Sequence, residues 1–212
     1  NEDELTYYRP ALSDGINEEL GSDFYMEDKD WYDKNNIVVI LGTNVDKLDE
    51  VNKTIIVNDG AIKFDKLVIA TGSRNFIPPI KGHDLENVFT LRNIKDLYSV
   101  KEALEKSKKV VVIGGGLLGL EAAWEFRLKG LEVVVVEAMD SILSKQLDKE
   151  GSKILEQCVR DTGIDVRLGV AVDGIEGDGK AQKVVFKDGD SVDCDMVVFS
   201  IGVRANTQMV QD

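Results

Sequence analysis

Little in this 212-residue chain invites a metal ion or a disulfide: it holds 1 His and 2 Cys. Cys158 and Cys194 stand far apart, with no Cys-x-x-Cys and no His-rich cluster. The expectation is therefore two structural thiols in a reducing, cytoplasmic setting rather than a metal site or a redox disulfide. Proline is equally scarce, at 3 residues, while 43% of the chain is hydrophobic and 31% charged, a balance that excludes disordered and fibrous classes. No apolar run approaches the roughly 18 residues that a membrane span requires. Positive charge is also short: 26 Lys and Arg against 39 Asp and Glu leave a net charge of −13, which argues against nucleic acid or an anionic membrane as a partner. The first residues, "NEDELTYYRP", carry no initiator Met, no basic segment and no apolar segment, so no secretory signal is expected in them.

What is present is a change of rhythm along the chain. The first third is mixed. Trp31–Ile37 reads as the end of a short helix, and "IVVIL" (Ile37–Leu41) as a buried strand. Thr54–Phe64 reads as a hairpin turning at Asn58-Asp59-Gly60, where Asp-Gly supplies a positive φ. "KLVIATGS" (Lys66–Ser73) reads as an apolar strand ending at Gly72, and the two prolines of "NFIPPIKGHD" (Asn75–Asp84) mark a boundary. Helical spacing of Ile94, Leu97, Val100 and Leu104 then predicts a helix over Ile94–Lys106.

From Val110 onward, strands and helices alternate. Val110–Ile113, "EVVVVE" (Glu132–Glu137) and "IDVRL" (Ile164–Leu168) read as strands, with helices over Leu117–Lys129 and Leu147–Thr162 between them. "AVDGIEG" and "KVVFKDGDSV" suggest an antiparallel meander, and "DMVVFSIG" (Asp195–Gly202) a last buried strand. Such alternation predicts an α/β, Rossmann-like domain: a central parallel sheet with right-handed crossovers, carrying the meander.

The strand "VVVI" runs straight into "GGGLLG" and a helix. A lone Gly-x-Gly-x-x-Gly is weak, but here strand, glycines and helix are all in place. Gly114 permits the tight turn, Gly116 lets a pyrophosphate approach the backbone, and Gly119 lets the helix lie close to the strand. The amides around Leu117 and Leu118 then face the phosphates, helped by the helix dipole. Glu137 ends the next strand, where an acid accepts hydrogen bonds from a ribose and would repel a 2′-phosphate. With no Arg in "EAMDSIL" (Glu137–Leu143), the expected ligand is NAD(H) rather than its phosphorylated form.

With these motifs in view, nearly the whole chain resembles the FAD-dependent pyridine nucleotide–disulfide oxidoreductase family. It is most similar to the branch holding rubredoxin and ferredoxin reductases and the flavoprotein part of NADH-dependent nitrite reductases. The matching segments are "YYRPALS" (Tyr7–Ser13), "LVIATGS" followed by "PPIKG", "FTLRNIKD" (Phe89–Asp96) and "VVFSIGVRANT" (Val197–Thr207), where Ala205 replaces the family's Pro. The resemblance implies NAD(H) and FAD as cofactors, with a hydride passed from NADH to FAD. The electrons then go to a redox partner such as rubredoxin, ferredoxin or a nitrite reductase centre. It implies flavin contacts at Arg9, Pro10, Val45, Ala70, Thr71, Gly72 and Arg92. It also implies that Gly202 lines the nicotinamide end and that Glu121 sits by the nicotinamide–flavin contact as the catalytic candidate.

The same resemblance implies an internal piece of a longer protein. Residues 1–104 would be a partial FAD-binding domain with a linker, lacking the family's first glycine fingerprint, and 105–212 the NAD(H)-binding domain. The piece alone is then expected to be inactive and to bind NADH but not FAD tightly. An NADH oxidase or peroxidase of the same family, or a nucleotide-binding module without turnover, are the alternatives; the first is disfavoured because no Cys accompanies "YYRP". His83 is expected to be a solvated loop residue, and Trp31 and Trp124 packing residues.

Overall fold

The computed structural model describes residues 2–58 and 60–210, and divides into two compact units. The first takes the described residues of 1–8, 20–74 and 204–212; the second takes 9–19 and 75–203.

The first unit holds helix α1 (Lys29–Lys34) and a three-stranded antiparallel sheet, β1 (Lys47–Asp49), β2 (Thr54–Val57) and β3 (Gly60–Lys63), in that order. The predicted hairpin is the β2–β3 pair, registered Thr54 to Lys63 and Val57 to Gly60. Asn58 adopts a positive φ of 43° at its turn, whereas Asp59 lies outside the described residues. Tyr7 stacks on Phe24 at 5.1 Å and 16° and both rings are buried.

Two strand expectations fail in this unit. Ile37–Leu41 forms no strand, and its side chains are exposed, Val38 at 86%. Lys66–Thr71 is likewise outside any ladder, with Val68 87% exposed; only β4 (Ser73–Asn75) at its end is a strand. A run of β-branched residues supplies side chains suited to a sheet, but a strand also needs neighbours to take its amides and carbonyls. Among the described residues neither run has them. The helix expected over Trp31–Ile37 also closes earlier, at Lys34, where Asn36 turns to φ 56°.

In the second unit the alternation is realised as five parallel strands. In chain order they are β5 (Val88–Thr90), β6 (Lys109–Ile113), β7 (Glu132–Glu137), β8 (Asp165–Leu168) and, after the meander, β12 (Met196–Phe199). The meander is β9 (Val172–Glu176), β10 (Lys183–Phe186) and β11 (Ser191–Asp193), antiparallel throughout. The parallel order is β5-β12-β6-β7-β8, so β6 lies at the centre. Helices α2 (Ile94–Leu104), α3 (Leu117–Leu128) and α4 (Lys149–Asp161) connect the strands.

Because side chains alternate along a strand, Val111 and Ile113 of β6 and Val134 and Val136 of β7 face the meander. There they pack with Ile175, Val184, Phe186 and Val192. Val110, Val112, Val133 and Val135 point to the opposite face and are equally buried. Helix α3 lies against β6 and β7, burying Ala122, Ala123 and Phe126. The alanines let its axis approach the sheet.

The segment 9–19 packs against α2 and α3 although residues 1–8 and 20–74 belong to the other unit. Leu12 and Ile16 are buried, and Lys101 Nζ donates to Gly15 O at 2.9 Å and Glu18 O at 3.0 Å. Asn17 Nδ2 donates to Glu125 O at 2.8 Å. Strand β13 (Val203–Ala205) pairs with β4 in a two-stranded sheet.

A candidate dinucleotide site at the sheet's carboxyl edge

Strands β6, β7 and β12 run parallel, so Gly114, Glu137 and Gly202 all fall at or just beyond one edge of the sheet. That edge is where open α/β sheets hold ligands. The glycines there do different work. Gly114 takes φ 121°, and a Cβ on it would sit 2.3 Å from Ser200 O. A Cβ on Gly119 would sit 2.1 Å from Gly114 O, so both are required for the turn and the helix to lie so close. Gly116 differs: no atom stands within 4 Å of where its Cβ would be. Its bareness is not needed by the fold, and it leaves the helix start open to an approaching group.

The start of α3 is also chemically open. Asp28, Asn93 and Asp148 cap α1, α2 and α4 by accepting backbone N–H bonds, whereas the N-cap of α3 is Gly116, with no side chain to do so. The first turn of a helix presents unpaired amides and the positive end of the dipole. Leu117 and Leu118 flank it, 55% and 51% exposed.

Glu137 is half-buried and held in place. Its Oε2 accepts from Gly115 N at 2.7 Å and its Oε1 from Met139 N at 2.8 Å. Each carboxylate oxygen keeps a further lone-pair direction for a hydroxyl donor. Gly115, to which no role is given by the Gly-x-Gly-x-x-Gly spacing, turns out to belong to the site. Its N–H orients Glu137, and a Cβ on it would press at 3.1 Å on the Glu137 Cβ. That the middle position of the run "GGG" is itself a glycine is the only sequence signal for it.

Glu121, one turn into α3, is half-buried, and its carboxyl is pushed above the usual range, first by burial and then by the carboxylate of Asp14. Two of the expected flavin-side residues meet directly: Arg9 Nη1 donates to Arg92 O at 2.5 Å. Arg92 N in turn donates to Asp96 Oδ2 at 2.8 Å, and burial holds the Asp96 carboxyl above its ordinary value against the pull of those bonds. Pro10 is exposed beside Arg9. Val45, Ala70, Thr71 and Gly72 lie in the first unit, all exposed, with Gly72 at φ 66°. Gly202, at φ 103°, is exposed beyond β12, and its carbonyl accepts from Phe76 N at 3.0 Å.

Other singled-out residues sit in ordinary surroundings. His83 is an exposed loop residue with Nδ1 3.0 Å from Ile80 O. Trp31 and Trp124 are 40% and 43% exposed, so each packs only part of its ring. Cys158 is exposed and Cys194 buried, both free, and burial raises the Cys194 thiol to about 12. Among the described residues no group of three or more His, Cys, Asp or Glu is arranged to hold a metal ion, and no helix is long and apolar enough to cross a membrane.

A parallel sheet wound β6-α3-β7-α4-β8, with a glycine turn and an open helix start at its carboxyl edge, defines the doubly wound nucleotide-fold class. More narrowly, the chain belongs to the pyridine nucleotide-disulphide oxidoreductase family, whose sequence profile matches residues 1–212. It is 38% identical over 188 residues to the nitrite reductase [NAD(P)H] of Bacillus subtilis, across 88% of this chain and 23% of that protein. It is 33% identical over 215 residues to the benzene 1,2-dioxygenase system ferredoxin–NAD(+) reductase subunit of Pseudomonas putida, across 99% of this chain and 52% of that one. The crystal structure of the ferredoxin reductase for the CYP199A2 system from Rhodopseudomonas palustris superposes with a TM-score of 0.93 at 30% identity, over 98% of this chain and 52% of that chain. The chain thus spans from 23% to 52% of the length of these relatives.

Proposed function

We propose that this chain is the NADH-binding portion of an FAD-dependent oxidoreductase that delivers electrons to a redox partner, a small redox protein or a nitrite reductase centre. The observation that carries the reading is the uncapped start of α3 behind the bare Gly116, with Glu137 pinned beside it. Gly114 and Gly119 shape the cradle, and Gly116, Leu117 and Leu118 offer it their amides for the pyrophosphate. Glu137 accepts from the adenosine ribose hydroxyls; its charge disfavours a 2′-phosphate. Gly202, lacking a side chain at the end of β12, leaves room for the nicotinamide end. Glu121 stands at the nicotinamide–flavin contact, where burial and Asp14 favour its proton.

When bound, FAD would supply the chemistry of hydride acceptance and onward electron transfer. The residues assigned to it suit that group: Arg9 and Arg92 are joined on the second unit, while Val45, Ala70, Thr71 and Gly72 expose apolar surface and backbone on the first. By role, residues 1–104 serve the flavin and 105–212 serve NADH. The exposed apolar runs Ile37–Leu41 and Leu67–Ala70 support the view that the whole protein adds sheet partners to them.

Thermal unfolding with each nucleotide tests the reading. NADH at 100 times its Kd should stabilise the chain by about 2.7 kcal/mol, with NADPH giving a much smaller shift at the same concentration. No shift with either nucleotide would sink the assignment, and equal shifts would remove the ribose role of Glu137.

A further inference from the structure

Asn206 lies just past β13, in the part of the chain that returns to the first unit, and all four of its polar atoms are engaged within that unit. Its Nδ2 donates to Thr71 O at 3.0 Å, and its main-chain N donates to Gly72 O at 2.9 Å. Its main-chain O accepts from Thr71 Oγ1 at 2.5 Å, and its Oδ1 accepts from Arg74 Nη1 at 3.1 Å. The turn it grips is otherwise weakly determined. Residues 67–71 belong to no ladder, and Gly72 stands in the left-handed region. Gly72 has the widest conformational freedom of any residue type, so something must choose its conformation. The residue that hydrogen-bonds this turn comes 135 positions after Thr71.

We infer that Asn206 is a positioning residue for the flavin-side turn Ala70–Gly72. It contacts no cofactor itself; it fixes the backbone that does. Thr71 O, Thr71 Oγ1 and Gly72 O are committed to Asn206, so the turn meets a ligand with its amide hydrogens and the Ala70 methyl. Such a surface suits a flat heterocycle with carbonyl acceptors. This inference rests on the proposed function, because it takes the turn to contact flavin.

The test uses the full-length flavoprotein that contains this chain, with Asn206→Ala and Asn206→Asp. The Ala variant removes both side-chain bonds. The Asp variant retains volume and the acceptor for Arg74 but sets an oxygen against Thr71 O. Three quantities are read: the FAD dissociation constant from flavin fluorescence, the NADH-induced thermal shift and the unfolding temperature. FAD binding should weaken about tenfold in both variants, the equivalent of about 1.4 kcal/mol, while the NADH shift and the unfolding temperature hold. FAD affinity within about twofold of wild type in either folded variant overturns the inference and leaves the proposed function standing. Parallel loss of FAD binding, NADH binding and thermal stability in the Asp variant reduces Asn206 to a general structural role and also overturns it. A wild-type protein that binds no FAD refutes the proposed function itself.

Discussion

Two stretches of nearly the same composition, "VVVI" at Val110–Ile113 and "IVVIL" at Ile37–Leu41, end in opposite states. The first is the central strand of the parallel sheet, with β12 on one side and β7 on the other, and Val110, Val111 and Val112 at 0% exposure. The second has no ladder among the described residues, and Val38 is 86% exposed. A parallel strand buried on both faces is almost purely apolar, and Ile37–Leu41 has that composition without the ladder. Side-chain chemistry announces the intention. Neighbours on both sides accomplish it.

Three measurements would break or sharpen this contrast. The largest effect is expected where the well-paired unit has no slack. Gly119→Ala places a Cβ 2.1 Å from Gly114 O and should cost about 3 kcal/mol in chemical denaturation. Gly116→Ala, with nothing within 4 Å of the new Cβ, should change stability by less than about 1 kcal/mol while abolishing the NADH shift. Equal losses of stability in the two variants would mean that the whole fingerprint is structural.

Next in size is the direct comparison of the two apolar regions. Val112→Ala should destabilise by about 2 kcal/mol, because it leaves a void in a packed sheet. Val68→Ala, at a side chain 87% exposed, should stay within about 0.5 kcal/mol. A comparable loss at Val68 would show that the exposed runs are buried in solution, and the contrast would fail.

The smallest effect concerns Glu121. Its carboxyl titrates above the ordinary value, so the folded state binds this proton more tightly than the unfolded chain does. The destabilisation is absent below the unfolded pKa and grows as pH rises through the folded one. Glu121→Gln should therefore match the wild type in acid and melt about 1–2 °C higher at neutral pH. A variant that melts lower at neutral pH would show that the ionised carboxylate is stabilising in place.

Much of the second unit was legible because each element carries its own local signal. The alternation of strands and helices, the Asp-Gly turns of the meander and the glycines after Ile113 all act over a few residues. Within the candidate site, Gly114, Gly119 and Glu137 could be placed from spacing alone. Gly115 could not, because its role depends on a carboxylate 22 positions away. Nor could the packing of residues 9–19 with α2 and α3, which rests on Lys101 and Glu125 reaching back along the chain. The failed strands at Ile37–Leu41 and Lys66–Thr71 have the same origin: apolar periodicity reports what a side chain prefers, not whether a partner strand is there.

The sequence by itself therefore determined the parallel core and the glycine turn, since those features follow from local sterics and burial, while its flanking motifs carried the resemblance to the family. The tertiary structure decided which glycine is open and which acid is pinned. It also decided which apolar run becomes a strand, and which distant asparagine holds the Thr71–Gly72 turn. Each of those depends on hydrogen bonds and contacts between residues far apart in the chain, and no local pattern encodes them.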